Sequence, residues 1–178
     1  MLKNVIVTGG SRGLGLGIAR KLAAAGYRVI AIARGESEQL TCAMREQKSG
    51  GQGSVVFKAF DLENFSAIHA LVKELRKEFG AIHGLVNNAG LGTSGILATM
   101  HDSQIERLVR LNTLSPIMLT KYVVRAIMAD GGGRIVNVAS IVAFTGYSGI
   151  SVYSATKASI IGFTKSLARE VGPLGINV

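Results

Sequence analysis

Apolar and polar positions along this chain sort into two kinds of segment that alternate from end to end. Leu2 to Val7, Arg28 to Ala33, Val55 to Phe60, Ile82 to Val86 and Arg134 to Val138 are short runs rich in Val and Ile. Their length predicts strands, and their weak alternation predicts burial on both faces. Between them apolar residues recur at helical spacing. That pattern predicts helices over Leu14 to Ala25, Glu38 to Gln47, Ser66 to Phe79, Ser103 to Met128 and Val152 to Val171. In the third of these, Ile68, Leu71, Val72 and Leu75 form one apolar stripe. Gly26 closes the first helix as a C′ glycine, Gly50-Gly51-Gln52-Gly53 is a loop, and Gly172-Pro173 ends the last helix.

Alternation of strand and helix predicts an α/β fold. The expectation is a doubly wound parallel sheet with right-handed crossovers and helices on both faces, a three-layer Rossmann arrangement. No internal repeat or linker divides the chain, so residues 1–178 read as one domain. The last residues, Ile176-Asn177-Val178, look like the opening of a sixth strand. A fold truncated there is therefore expected, with an incomplete last strand and an exposed sheet edge.

Composition narrows the classes. The chain has 178 residues, 48% hydrophobic, with 23 Gly and 2 Pro. That suits one sizeable core and many tight turns, and excludes a disordered chain. Mean hydropathy is +0.35, yet no unbroken apolar run reaches the ~18 residues of a membrane span. Buried parallel strands account for it. The N-terminus enters a strand pattern directly, without a signal peptide. The single cysteine, Cys42, excludes an internal disulfide and suits a reducing, cytoplasmic setting. It lies in a polar helical stretch and reads as incidental. The net charge of +9 raises the question of a polyanion. The basic residues are scattered, however, and lack the aromatic interleaving of single-strand binders, so neither nucleic acid nor membrane is an expected partner. A charged nucleotide or thioester ligand explains part of the excess.

Two local patterns carry chemistry. Thr8-Gly9-Gly10-Ser11-Arg12-Gly13-Leu14-Gly15 joins the first strand to the first helix. Glycines there permit a sharp turn and let a pyrophosphate approach the helix N-terminus, where free N–H groups point at it. The spacing is Gly-x-x-x-Gly-x-Gly rather than the usual dinucleotide fingerprint. In Tyr153-Ser154-Ala155-Thr156-Lys157, a phenol and an ammonium stand one helical turn apart on one face. A cation beside a phenol favours its ionised form, which brings the hydroxyl toward the acidity a proton donor needs. Taken alone, the pair also fits an aromatic on a core stripe with a solvated lysine one turn on. His69, His83 and His101 are spread over different elements and lack metal-ligand spacing.

With Asn87-Asn88-Ala89-Gly90 after the fourth strand, Ser140 thirteen residues before Tyr153, and Asn112 in the long helix, the chain resembles the short-chain dehydrogenase/reductase family over its whole length. It is most similar to the 3-oxoacyl-(acyl carrier protein) reductases of that family. The stretches concerned are Gly133-Arg134-Ile135-Val136-Asn137-Val138, residues 161–171 and Gly175-Ile176-Asn177-Val178. The resemblance implies an oxidoreductase that reduces a ketone, with Asn112, Ser140, Tyr153 and Lys157 as the catalytic set. Tyr153 would protonate the carbonyl oxygen as a nicotinamide delivers hydride, and Ser140 would hold that oxygen. Lys157 would bond the nicotinamide ribose, and Asn112 a water leading to solvent. The implied cofactor-binding residues are Gly9, Ser11, Arg12, Gly13, Leu14, Gly15, Arg34, Asp61, Leu62, Asn88, Ala89 and Gly90, together with Tyr153 and Lys157. Asp61 would touch the adenine edge; it also suits a helix cap.

Charge selects the cofactor form. An acid at the end of the second strand would bond a ribose 2′-OH and repel a 2′-phosphate. Ala33 and Arg34 stand there instead, and Arg12 lies in the glycine turn. Two guanidiniums suit a phosphate dianion, which predicts NADP(H) over NAD(H). The expected substrate is a small carbonyl compound or an acyl thioester. Bacterial ketoacyl reductases meet the acidic acyl carrier protein with basic residues near the ends of two long helices. The matching positions here are Ala129-Asp130-Gly131-Gly132 and Pro173-Leu174, and Ile150 stands where a Gln is common. Coenzyme A thioesters or other ketones thus compete with carrier-bound substrates. Ile141, Val142, Phe144 and Tyr147 would line an apolar mouth. Relatives pair their long helices into dimers or tetramers, so a homo-oligomer is expected. The alternatives are another short-chain carbonyl reductase or alcohol dehydrogenase, or a non-catalytic dinucleotide-binding module.

Overall fold

The structure, a computed structural model, describes residues 2–48 and 52–178. Six strands run β1 (Asn4–Thr8), β2 (Arg28–Ala33), β3 (Ser54–Ala59), β4 (Ile82–Asn87), β5 (Gly133–Asn137) and β6 (Ile176–Asn177). Among the described residues seven α-helices alternate with them: α1 (Gly13–Ala24), α2 (Glu38–Lys48), α3 (Ile68–Phe79), α4 (Asp102–Val109), α5 (Ser115–Ala129), α6 (Val142–Thr145) and α7 (Ser151–Val171). The sheet order is β3-β2-β1-β4-β5-β6, and every pairing is parallel. The chain reverses direction across the sheet between β1 and β4. In such sheets the crevice beyond the strand C-termini at this point receives ligands.

Both faces of the central strands are covered, which is why their sequences read as apolar runs. All five residues of β1 are buried. On one face Ile6, Ile30, Leu85 and Ile135 pack with Leu71 and Leu75 of α3, Leu119 and Val123 of α5, and Leu167 of α7. On the other, Val5, Val7, Val29 and Ala31 meet Leu16, Ala19 and Ala23 of α1 and Leu40 and Ala43 of α2. Each fully buried Leu or Ile contributes about 1.5–3 kcal/mol of transfer free energy. Gly26 follows α1 with φ 88°, the left-handed C′ geometry expected of it. Of the expected glycine loop at 50–53, Gly50 and Gly51 lie outside the described residues.

One expectation is corrected. The helix expected over Ser103 to Met128 is interrupted: α4 ends at Val109, a π-helical turn spans Arg110–Leu114, and α5 follows. The Ser115 N–H reaches back five residues to the Arg110 carbonyl. The cause is local. Pro116 has no N–H, so the carbonyl of Asn112 loses its α-helical donor. The widened turn carries Asn112 into the interior, 2% exposed, where its amide finds three partners.

Candidate active site

The glycine turn is held against the end of β4 by Thr8, which is buried. Its hydroxyl donates to the Val86 carbonyl (3.3 Å) and accepts the N–H groups of Asn88 and Ala89 (3.0 Å each). Asn88 returns the contact, Nδ2 donating to the Thr8 carbonyl at 2.9 Å. The approach leaves no room for a side chain at Gly9 or Gly15. A Cβ on Gly9, whose φ is 65°, would lie 3.0 Å from Asn88 Nδ2, and one on Gly15 would lie 2.5 Å from the same atom. The first bond of α1 runs from the Leu16 N–H to the Arg12 carbonyl, so the N–H groups just before it have no helical acceptor. They face a cleft of about 490 Å³.

Gly9, Ser11, Arg12, Leu14, Gly15, Arg34, Asp61, Leu62, Asn88, Ala89 and Gly90 all line that cleft. The expected cofactor residue Gly13 does not, and a Cβ on it would meet nothing within 4 Å. Its φ of 56° lies in the left-handed region that favours glycine. Asp61 borders the cleft, and its Oδ1 accepts the Glu63 N–H at 3.0 Å; that bond closes a local turn and is not a helix cap, since the next helical turn, Phe65–Ala67, is preceded by Asn64 and has no side-chain cap bond.

The cleft also contains residues that the sequence reading passed over. Glu36 lines it, with Oε1 accepting the Thr41 hydroxyl at 2.6 Å. Ser37 latches the β2–α2 loop onto the glycine turn, its hydroxyl donating to the Ser11 carbonyl and accepting the Leu40 N–H (3.1 Å) as a cap of α2. A serine three residues before Leu40 at a helix start was a legible capping signal. Glu63 is spoken for by Arg107 at 3.3 Å. Among the described residues no ion pair engages Arg12 or Arg34. Glycine backbone, a helix N-terminus and two guanidiniums without acidic partners together form a donor set that fits a phosphorylated dinucleotide.

Gly90 connects the cleft to the expected catalytic residues. A Cβ there would lie 3.2 Å from Asn112 Oδ1 and 3.6 Å from Lys157 Nζ. Lys157 is 6% exposed, with Nζ donating to the Val138 carbonyl at 2.8 Å. Burial pushes its pKa below the ordinary lysine value. The same Nζ lies 5.9 Å from the centroid of the Tyr153 ring. Asn112 secures the segment that carries Gly90. Its Oδ1 accepts the Leu91 N–H and its Nδ2 donates to the Leu91 carbonyl, both at 2.8 Å. Nδ2 also donates to Thr156 Oγ1 (3.2 Å), a residue the sequence reading did not single out. Thr156 in turn donates to the Tyr153 carbonyl at 2.7 Å. Ser140 lies between β5 and α6, its carbonyl accepting the Ala143 N–H at 3.1 Å. Tyr153, Lys157, Asn112 and Gly90 are thus brought together, with Ser140 two residues after the carbonyl that holds Lys157.

Beside them the wall is apolar. The Gly95 N–H donates to the Gly149 carbonyl (2.7 Å), which joins the segment after β4 to the segment before α7. Ile96, Ile141, Phe144 and Tyr147 on these segments are 68–75% exposed. Neither 91–100 nor 138–156 contains a charged side chain. Among the described residues no group of three metal-ligating side chains converges, and no helix is long and apolar enough to cross a membrane. Cys42 is exposed on α2.

A family model described as short chain dehydrogenase matches residues 3–178. The chain is 39% identical over 176 residues to the 3-oxoacyl-[acyl-carrier-protein] reductase FabG of Vibrio cholerae, covering 99% of this chain and 70% of that protein. It is 35% identical to the ketoacyl reductase HetN of Nostoc sp., covering 99% of this chain and 61% of that protein. A metagenomic short-chain oxidoreductase solved in complex with NADP superposes with a TM-score of 0.90 at 33% identity, over 98% of this chain and 78% of that one. L-Sorbose reductase from Gluconobacter frateurii, solved with NADPH and L-sorbose, gives a TM-score of 0.90 at 32% identity, over 98% of this chain and 66% of that one. The chain spans 61–70% of the length of these two curated relatives.

Proposed function

The chain belongs to the short-chain dehydrogenase family and shares its NADP-dependent oxidoreductase chemistry, and on that premise we propose that it reduces the ketone of a 3-oxoacyl thioester to the 3-hydroxy product. The observation that carries this reading is the buried Lys157 ammonium beside the Tyr153 ring, separated from the cleft by a glycine.

Arg12, Arg34, the glycine turn, Asp61 and Asn88–Gly90 would hold NADP(H), which when bound supplies the hydride that the carbonyl carbon accepts. Tyr153 donates its hydroxyl proton to the carbonyl oxygen as negative charge builds there. Ser140 donates a hydrogen bond to the same oxygen and orients it. Lys157 stabilises the phenolate left behind. Its single protein acceptor, Val138, leaves ammonium N–H groups for a ribose hydroxyl and a water. The Asn112 carbonyl, whose α-helical donor is lost at Pro116, would accept a hydrogen bond from that water, and the water would carry the proton outward.

The uncharged rim of Ile96, Ile141, Phe144 and Tyr147 favours an acyl chain over a charged or sugar-like substrate. The carrier protein is less well served. Asp130, at the end of α5, is paired with Arg76 at 2.8 Å, and no basic residue follows α5 before Arg134. A coenzyme A thioester is therefore the better first substrate. As in its relatives, a homo-oligomer is expected. The test is NADPH oxidation with acetoacetyl thioesters of both carriers. Tyr153→Phe is expected to abolish turnover while NADPH still binds; unchanged turnover in that variant refutes the proton-donor assignment.

A further inference from the structure

Beneath the site lies a polar chain that none of the roles above uses. Asn87 ends β4, Asn137 ends β5, and the two are register partners. Asn87 Nδ2 donates to Asn137 Oδ1 (2.8 Å) and to Thr120 Oγ1 on α5 (2.9 Å). Asn137 Nδ2 donates to Thr164 Oγ1 on α7 (2.9 Å), and Thr164 donates to the Ile160 carbonyl (2.7 Å). One continuous set of hydrogen bonds thus crosses α5, β4, β5 and α7.

Its direction is fixed from one end. The Thr164 hydroxyl proton goes to Ile160, so Thr164 must accept from Asn137. Asn137 then presents its oxygen to Asn87, and Asn87 must answer with its amide nitrogen. A flipped Asn87 would set two oxygens against each other. The consequence is visible: Asn87 Oδ1 is buried and finds no protein partner among the described residues. An orphaned buried acceptor costs about 1–3 kcal/mol, a cost the arrangement tolerates to keep Asn87 Nδ2 where it is.

What the brace holds is the next residue of β5. The Val138 N–H donates to the Asn87 carbonyl at 2.9 Å, and the Val138 carbonyl is the acceptor of Lys157 Nζ at 2.8 Å. We propose that Asn87 and Asn137, tied to Thr120 and Thr164, are positioning residues that set the Val138 carbonyl and through it the Lys157 ammonium. This rests on the reading of Lys157 and Tyr153 given above.

Thr164→Val removes the acceptor at one end of the brace without changing side-chain shape, and Thr120→Val does so at the other. Neither residue touches the cleft. Each is expected to lower kcat by about tenfold, as loss of alignment does, with the fluorescence-measured Kd for NADPH, to which Lys157 adds one ribose bond among many contacts, changed by much less. Thr164→Ser, which keeps the hydroxyl, is expected to restore kcat. Melting curves identify a variant that fails to fold, in which case the other valine variant carries the test. If Tyr153→Phe abolishes turnover but both folded valine variants retain parental kcat, the brace proposal is overturned and the catalytic reading stands. Equal loss of kcat and NADPH affinity, or no rescue by serine, also overturns it. If Tyr153→Phe retains turnover, the catalytic reading itself has failed.

Discussion

Two glycines of α1 stand two positions apart and should respond to alanine with opposite signs. A Cβ on Gly15 would come within 2.5 Å of Asn88 Nδ2 and closer still to the Gly9 carbonyl oxygen, whereas one on Gly17 would meet nothing within 4 Å. At Gly15 the obstructing oxygen is backbone, pinned in a turn that Thr8 and Asn88 clamp to β4, so relief requires the turn and β4 to part. Overpacking of that kind costs about 1–3 kcal/mol. Losing the bond from Asn88 Nδ2 to Thr8 adds about 1 kcal/mol. The sum is about 2–4 kcal/mol, or roughly 4–16 °C in Tm for a domain of this size. At Gly17, exposed inside the helix, Gly15's burden is absent. Alanine there removes backbone entropy from the unfolded chain and should stabilise by about 0.4–1 kcal/mol. Urea unfolding followed by circular dichroism measures both, and nicotinamide fluorescence measures NADPH binding. Gly15→Ala should lose affinity as well as stability; Gly17→Ala should keep its affinity. A Gly15→Ala protein within about 0.5 kcal/mol of the parent, the ordinary range of a neutral surface change, would refute the clamp.

Lys157 gives a pH signature. Its pKa in the folded protein is lowered by burial, against about 10.4 in the unfolded chain. Between those values the unfolded chain binds more protons, so stability rises with pH across that window. Lys157→Met should therefore be the more stable protein at neutral pH, with the gap narrowing toward pH ~10; urea unfolding over that range decides it, and a gap that widens contradicts the burial argument. Arg34→Ala should weaken NADPH by about 10–100-fold through loss of a charge-assisted bond and leave NADH unchanged, as fluorescence titration of each cofactor will show.

The parts of the site legible in the sequence were those written in short-range spacing. Tyr153 and Lys157 lie one turn apart on any helix, and the glycine turn needs just a strand before and a helix after. The strand order was out of reach of spacing, because β1 pairs with β4 across some eighty residues. Other features escaped because a local cause is completed only by tertiary contacts or because the reading stopped short. The π turn at Arg110–Leu114 depends on Asn112 finding Leu91 and Thr156, partners twenty-one and forty-four residues away; Pro116 was the local hint. Glu36 was passed over because the reading for cofactor charge stopped at the end of β2, while the cleft extends past it to Ser37.

The Thr8 clamp has a bearing on how the molecule assembles. It joins β1 to the segment after β4 with eighty residues between the partners, so closing the two halves of the sheet requires a large loss of chain freedom with no local reward. The cleft straddles that same seam, drawing Gly9–Ser37 from one half and Asn88–Leu91 from the other. A dinucleotide bound there grips both halves and is absent from the open chain, so it would add about 2.7 kcal/mol at a hundredfold excess over Kd. Bound dinucleotide would then act as a fastener on the fold, and its removal is expected to raise the protein's susceptibility to protease before any catalytic residue is touched.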